Sequence, residues 1–494
     1  MTELLRSEWI KFRSVRGLVI GLLLIPILTA GLSVLTASGS QCGWGYQTPS
    51  GQQESGGCSA PTGPGGELVQ DTFYFAHQPL TGDGSITVRM TGLASSALQP
   101  WAKSGIIIKA NTVPGSAYAA MMVTGAHGVR MEWDYTQDTA GMPGGVSAAT
   151  PRWLRLIRAG DTITGYDSAD GTHWTKVGTA TLAGLPATVQ AGMFAATPSD
   201  QVTANSSAAI IATGTFDHVS IAGNGTGGTW AGTFVNSGPP NPPGQSGPGG
   251  FQQTSTGFTV NGQGDIAPDV PGNNDSTGTP ISHALNGVFV GLIVVIVVGA
   301  IFITAEYRRG MIRTTFAATP ARGKVLAAKA IVLGSLTFVA ALIGCAIAIP
   351  LASHQLRNGG NVVDPLTALT WLRVVIGTAA VFAAIAVLAL ALGAIFRRGA
   401  AAVSTAIVLI VVPYFLAIAL PNLPTVLSDW LMRITPTAAM AVQQTIPRYP
   451  QVPAPYGPSW GFFPLSPLAG FAVLCAWTGG ALWLAAWLLD RRDA

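Results

Sequence analysis

Few residues of this chain have the type and spacing that catalysis needs. Glu132 and Asp134 flank Trp133 in a stretch rich in β-forming residues. On a strand, alternate residues share a face, so these two carboxylates could work together as the acid and base of glycoside hydrolysis. Asp161, Asp167 and Asp170 gather near turn signals and could hold Ca²⁺, although turn aspartates commonly bond their own backbone. The six histidines are scattered, with no H-E-x-x-H pair and no Cys/His cluster. Gly323-Lys324 is followed by Val325 and lacks the upstream glycine of a phosphate-cradling loop, so the chain offers no nucleotide cradle of that kind. No catalytic, cofactor-binding or metal-binding residue is assigned on this reading.

A different kind of chemistry lies in residues 305–329. This stretch carries six Lys/Arg in 25 positions between two apolar runs. Lys and Arg beside a span resist translocation, so the stretch belongs on the cytoplasmic side. Glu306, Tyr307, Arg308 and Arg309 close the preceding span. Gly310, Met311, Ile312, Arg313, Thr314 and Thr315 lead into a short helix over 311–318, which Thr319-Pro320 should end because the residue before proline disfavours the helical conformation. A short rigid helix between two spans is a lever. A soluble motor docking on it could tilt both spans together.

The elements that position this lever follow from composition and hydropathy. Of 494 residues only 10% are charged, against about 25% in an ordinary soluble domain. Net charge is +4, and the basic residues gather beside apolar runs, which points to a membrane and away from nucleic acid. Residues 1–16 place Trp9 and Phe12 at helical spacing, with Lys11 and Arg13 elsewhere around the turn, as in an amphipathic helix lying in the membrane interface. Six spans are expected, at 17–37, 284–304, 330–352, 374–396, 400–420 and 468–489, each about the 20 residues needed to cross a bilayer. Six spans put both termini on one side. That side carries four Lys/Arg in residues 1–16, six in 305–329, two at 397–398 and two at 491–492. Both termini should therefore be cytoplasmic and residues 38–283 extracytoplasmic, in a multi-pass protein of the cell membrane. Lys329 and Arg373 sit near span ends, from which they should snorkel to the interface. Residues 421–467 form an outer interfacial segment with short helical patterns at 426–434 and 438–445, and Trp430, Trp460, Phe462 and Phe463 suit an interfacial belt.

Residues 38–65 are Gly-rich and hold Cys42 and Cys58, for which an extracytoplasmic disulfide is expected. From about 70 to 222 the chain shows ten short stretches rich in β-branched and aromatic residues, separated by turn pairs such as Gly160-Asp161 and Asp170-Gly171. TFYFAHQPL and GSITVRMTGL are two of them. This pattern predicts an antiparallel β-sandwich over 66–270, inserted between the first and second spans of a six-helix transmembrane bundle; the fold is multi-domain α + β. The Pro/Gly-rich residues 237–250 read as a linker within it, and 271–283 as a tether to the membrane.

Two resemblances sharpen these expectations. FYFAHQPLTGDGSITVRMTGL and WLRLIRAGDTITGYDSADGTHWTKVGTATL resemble the concanavalin-A-like lectin/glucanase (laminin-G-like, jelly-roll) sandwich. A stretch that usually opens that fold, FTVNGQGDI, comes here after it, at 258–266, which suggests a permuted order. ITAEYRRGMIRTTFAATPARGKVLAAK (303–329), LLRSEWIKFRSVR, LMRITPTAAMAVQQTIPRYP and LSPLAGFAVLCAW are similar to permease subunits of type-2 ABC exporters. That resemblance implies a coupling helix at 305–329 that meets an ATP-binding cassette ATPase subunit on a separate chain. It also implies ATP and Mg in that partner, and a second permease, as homodimer or paralogue, to complete the unit. The sandwich would then face an extracytoplasmic glycan or envelope protein. The alternative reading is a membrane-anchored glycan-binding or sensor protein without transport; a membrane-bound glycosidase is a third.

Overall fold

The computed structural model describes residues 1–47, 52–97, 99–198, 210–238, 247–270, 278–285, 287–318, 321–419, 425–454 and 456–491. The centre of the expected linker, most of the 271–283 tether and the Thr319-Pro320 stop lie outside these residues. The chain divides into two units. One holds residues 1–41, 279–448 and 455–494; the other holds 42–278 and 449–454.

The first unit is helical. α1 (Thr2–Ser14) precedes α2 (Arg16–Ser38), and after the second unit come α3 (Ile281–Ala284), α4 (Gly287–Arg308), α5 (Met311–Ala318), α6 (Arg322–Asn358), α7 (Ala368–Phe396), α8 (Gly399–Ala419), α9 (Thr425–Ile434) and α10 (Pro467–Arg491). Six of these, α2, α4, α6, α7, α8 and α10, are long and apolar enough to cross a membrane. At 37 residues α6 runs about 55 Å, well past the apolar run 330–352 at both ends. Helices in lipid associate through close packing, and small residues permit it. On α4, a Cβ added at Gly299 would stand 2.5 Å from the Ala386 carbonyl of α7, and one at Gly291 would stand 3.0 Å from the Phe382 ring.

Between α8 and α10 the structure departs from the sequence pattern. Pro436–Gln443 is a 3-10 helix and every one of its residues is buried. Thr437 donates to the Ile410 carbonyl at 2.7 Å, midway along α8 and beside Pro413, so this segment folds back into the bundle. Phe462 and Phe463 are buried too and do not form an interfacial belt, whereas Trp430 is exposed.

The second unit is an antiparallel β-sandwich. Its strands are β1 (Gly43–Gln47), β2 (Gln53–Gly57), β3 (Val69–Asp71), β4 (Phe73–Ser95), β5 (Lys103–Lys109), β6 (Tyr118–Thr124), β7 (Val129–Trp133), β8 (Gln137–Ala140), β9 (Arg152–Ala159), β10 (Thr162–Ser168), β11 (Thr175–Thr181), β12 (Thr188–Ala196), β13 (Ala212–Asn224), β14 (Ala231–Val235), β15 (Gly249–Gln253), β16 (Phe258–Gly262) and β17 (Ile266–Pro268). The main sheet runs β11-β10-β9-β4-β12-β5-β6-β7-β8, with β13 and β14 also paired to β4, and β16 joining β13 to β15.

The two stretches expected as separate strands around residues 73–93 are one strand, β4. Its first part pairs with β12 and β14, and its second with β9 and β13. Gly82, at φ +70°, supplies the bend that lets one strand serve both layers. Strand β15 begins inside the expected linker. The FTVNGQGDI stretch returns to the sheet as β16, and its end leads into β17, which pairs with β3. Cys42 and Cys58 are bonded and close the β1–β2 hairpin.

The candidate coupling site

The lever lies at the end of the helical unit where α4 passes to α5. Gly310, at φ +70°, turns the chain between them; a left-handed residue without Cβ costs no strain there. Glu306 is buried, Tyr307 half-buried, and Arg308, Arg309 and Gly310 exposed. In α5, Met311 is exposed and Ile312 buried, Thr314 exposed and Thr315 half-buried; Thr314 and Thr315 both turn back to the Met311 carbonyl. The Arg313 side chain lies outside the described residues.

What holds this corner is a four-charge cluster built from three helices. Lys329 of α6 places its ammonium 2.5 Å from Glu8 Oε2 and 2.6 Å from Glu306 Oε1. Lys11 lies 2.7 Å from Glu8 Oε1 and 3.5 Å from Glu306 Oε1, and donates at 3.4 Å to Thr315 Oγ1 of α5. Two carboxylates face two ammonium groups, so the cluster is neutral as a whole. Burial pulls the Lys11 ammonium down, but its contacts with Glu8 and Glu306 outweigh this and leave it raised. The Lys329 ammonium also stands 4.7 Å over the Phe302 ring, which Phe12 meets edge-on at 5.4 Å.

Lys329 therefore does not snorkel. It is 0% exposed, because α6 already begins at Arg322 and, just before the apolar run, Glu8 of α1 and Glu306 of α4 close over the ammonium. Glu8 was not singled out from sequence. The expected face of α1 set Trp9 beside Phe12, whereas the face that packs holds Leu4, Glu8 and Phe12 at i, i+4, i+8 spacing. Trp9 is 45% exposed, and Arg13 is exposed with it. The signal was available: of the two acids in this basic segment, Glu3 and Glu8, only Glu8 falls at the spacing of the buried stripe. A further tie joins the same end of the bundle, where Arg322 donates to the Leu489 carbonyl of α10 at 2.5 Å.

In the sandwich, Glu132 and Asp134 do not form a working pair. Asp134 falls after β7 with φ 45°, so strand alternation does not bring it beside Glu132. Glu132 is sealed within the domain, 3.5 Å from Lys103, which also meets Asp265 at 2.7 Å. Burial pushes Glu132 up to about 7, against the pull of Lys103, and burial likewise pushes Asp134 up to about 6. Nearby, Lys109 meets Asp71 at 2.7 Å. Strands β5 and β6 are buried on both faces: one faces the main core, and over the other pack Val69 of β3 and Ile266 of β17. Asp161, Asp167 and Asp170 each accept backbone amides, from Gly184, Met142 and Thr172 respectively.

Among curated proteins no match is found. Solved structures share slight likeness with this chain. A functionally unknown protein from Saccharomyces cerevisiae is 13% identical over 32% of this chain and 72% of its own, with a TM-score of 0.21. Scytalido-glutamic peptidase with a transition state analog inhibitor is 9% identical over 39% of this chain and 98% of its own, with a TM-score of 0.25. A GH43 protein from Bacillus licheniformis is 16% identical over 29% of this chain and 27% of its own, with a TM-score of 0.18. Similarity at this level carries no argument. The family model of ABC-2 family transporter proteins, in contrast, matches residues 162–494. That range is more than half of the chain and includes residues 305–329 and five of the six long apolar helices. The chain belongs to the ABC-2 family of transporter proteins.

Proposed function

We propose that this chain is the membrane-spanning permease subunit of an ATP-binding cassette exporter, moved by a separate ATPase subunit that docks on α5 and the residues around it. The observation that carries this reading is the buried Glu8–Lys329–Glu306 contact. It ties α1, the end of α4 and the start of α6 into one block around α5. A push on α5 is then delivered to two spans and the flanking helix together, as a rigid-body switch requires. ATP and Mg belong to the partner, and a second permease, identical or paralogous, completes the transport path. The basic loop and both termini lie in the cytoplasm, and the β-domain lies outside. The concentration of Lys and Arg in the short segments at one end of the spans supports this orientation.

The test is co-purification of the full chain with an ATPase subunit encoded beside it, before and after Met311–Ala318 is replaced by a Gly/Ser segment of equal length. The native chain should retain the ATPase, and the replaced chain should lose it while still inserting into membranes. Undiminished binding by the replaced chain would sink the reading.

A further inference from the structure

The two crossings from the helical unit into the β-domain meet, and a third helix pins them. Ser40 follows α2 and Thr279 precedes α3, yet their hydroxyls are 2.6 Å apart across 239 positions of sequence. Asn361, just past the end of α6, closes the junction. Its Oδ1 accepts from the Ser40 hydroxyl at 3.0 Å and from the Thr279 amide at 2.8 Å. Its Nδ2 donates to the Ser40 carbonyl at 3.2 Å and to the Leu356 carbonyl at 3.1 Å. Asn361 is buried, and both ends of its amide are engaged. The turn that presents it depends on glycine. A Cβ at Gly359 would stand 2.2 Å from the Ser40 carbonyl, and Gly360 sits at φ +77°. Beneath the junction Ala37 of α2 packs with Ala352 and Leu356 of α6 in a small apolar cluster of their own.

We propose that Asn361 is a positioning residue for the transport cycle: the latch that holds together the ends of α2 and α6 and both necks of the β-domain, and that opens once per turnover. This rests on the permease reading above, which sets these helix ends outside. Lifting α2 from α6 there breaks both Asn361 bonds to Ser40 at once, whereas tilting the helices as a block breaks neither. The contact is polar and small, as suits a reversible gate: across it Asn361 meets only Ser40 and Thr279.

The experiment locks α2 to α6 beneath the latch and leaves Ser40, Thr279 and Asn361 in place. In the full chain assembled with its ATPase, Ala37→Cys and Ala352→Cys, from the apolar cluster that joins the two helices, are oxidised to a disulfide, with the wild-type chain treated identically. ATP turnover should fall about fivefold or more when opening is part of the cycle, and recover on adding a thiol reductant. A static contact would be indifferent to a lock in its resting position, so unchanged turnover overturns the proposal. A second arm needs no ATPase and uses amide hydrogen exchange on the full chain in lipid nanodiscs. Asn361→Ala should raise exchange in residues 34–41 and 352–362 about tenfold, the equivalent of ~1.4 kcal/mol of lost hydrogen bonding. The milder Ser40→Ala should give a smaller rise in the same segments, and serves if Asn361→Ala fails to fold. No rise with either variant overturns the latch even if the ATPase binds. A rise without any ATPase binding keeps the Asn361 contact as a hold on α2 and α6 but removes the permease reading and, with it, the once-per-turnover opening.

Discussion

At the scale of single residues the charges decide most. A buried ammonium between two carboxylates is stable only as a set, because removing one member strands the others in low dielectric. Lys329→Met leaves Glu8 and Glu306 facing each other with Lys11 alone to balance them. It should cost about 3–5 kcal/mol, read as a fall in thermal midpoint of the full chain in nanodiscs. Lys329→Met with Glu8→Gln leaves the neutral pair Lys11–Glu306 and should regain a substantial part; a double variant as damaged as the single one would contradict the cluster. Glu132 makes a second residue-scale prediction. Its carboxyl is held at about 7 in the folded domain, above the ordinary 4.5. Between those values the native state keeps a proton that the unfolded chain has released. This stabilising contribution is full at low pH and is lost as pH rises through about 7. Asp134, pushed up to about 6, acts in the same direction. Calorimetry of the full chain should show the β-domain melting later at pH 5.5 than at pH 8, and Glu132→Gln should flatten that difference. Sequence marked residues 305–329 as a basic stretch between apolar runs, because that is a composition signal. It was silent on Lys329 pairing with Glu8, because a contact across 321 positions leaves no trace in local pattern.

At the scale of elements, local chemistry was readable where one rule acted alone. The α5 helix begins after Gly310, and the Gly160 turn between β9 and β10 sits where the turn pair placed it. Prediction failed where packing overrode pattern. Strand β4 reads as two strands because Gly82-Asp83-Gly84 is a turn signal, yet pairing partners on both sides keep it continuous. Pro436–Gln443 reads as a surface helix, yet it is buried against α7, α8 and α10, and its sequence of small residues is what lets it fit. The β1–β2 hairpin is a case of the opposite kind, an element with no apolar core of its own. Its Trp44 and Tyr46 stack on each other at 5.6 Å, and the Cys42–Cys58 bond closes its base. A two-stranded hairpin is marginal in water, so the crosslink over 16 positions should contribute about 3 kcal/mol to it. Cys42→Ser with Cys58→Ser should expose residues 43–57 to limited proteolysis while leaving the rest of the β-domain resistant. Protection equal to wild type would show that the strands hold without the bond.

At the scale of the whole molecule, the chain is a bundle interrupted after its first span by a domain with its own core. Insertions of this kind are tolerated when the ends of the inserted part come close together, since the host then need not bend to accept it. Here they do so in the helical unit, where Ser40 and Thr279 touch; within the sandwich the last strand, β17, pairs antiparallel with β3. The bundle should therefore fold without the insert. Replacing residues 42–278 by a short Gly-Ser linker requires bridging only the gap between Gln41 and Thr279, which the Ser40–Asn361–Thr279 contacts already keep short. The shortened chain should insert into membranes and, on the permease reading, bind the ATPase as well as the full chain does, because the Glu8–Lys329–Glu306 cluster and α5 lie wholly within the helical unit. Co-purification with the ATPase and the thermal midpoint of the helical unit measure this. A shortened chain that aggregates, while the full chain does not, would mean that the sandwich is a structural part of the bundle and not a module hung upon it. Retained assembly with lost export would assign the insert to handling of the exported substrate.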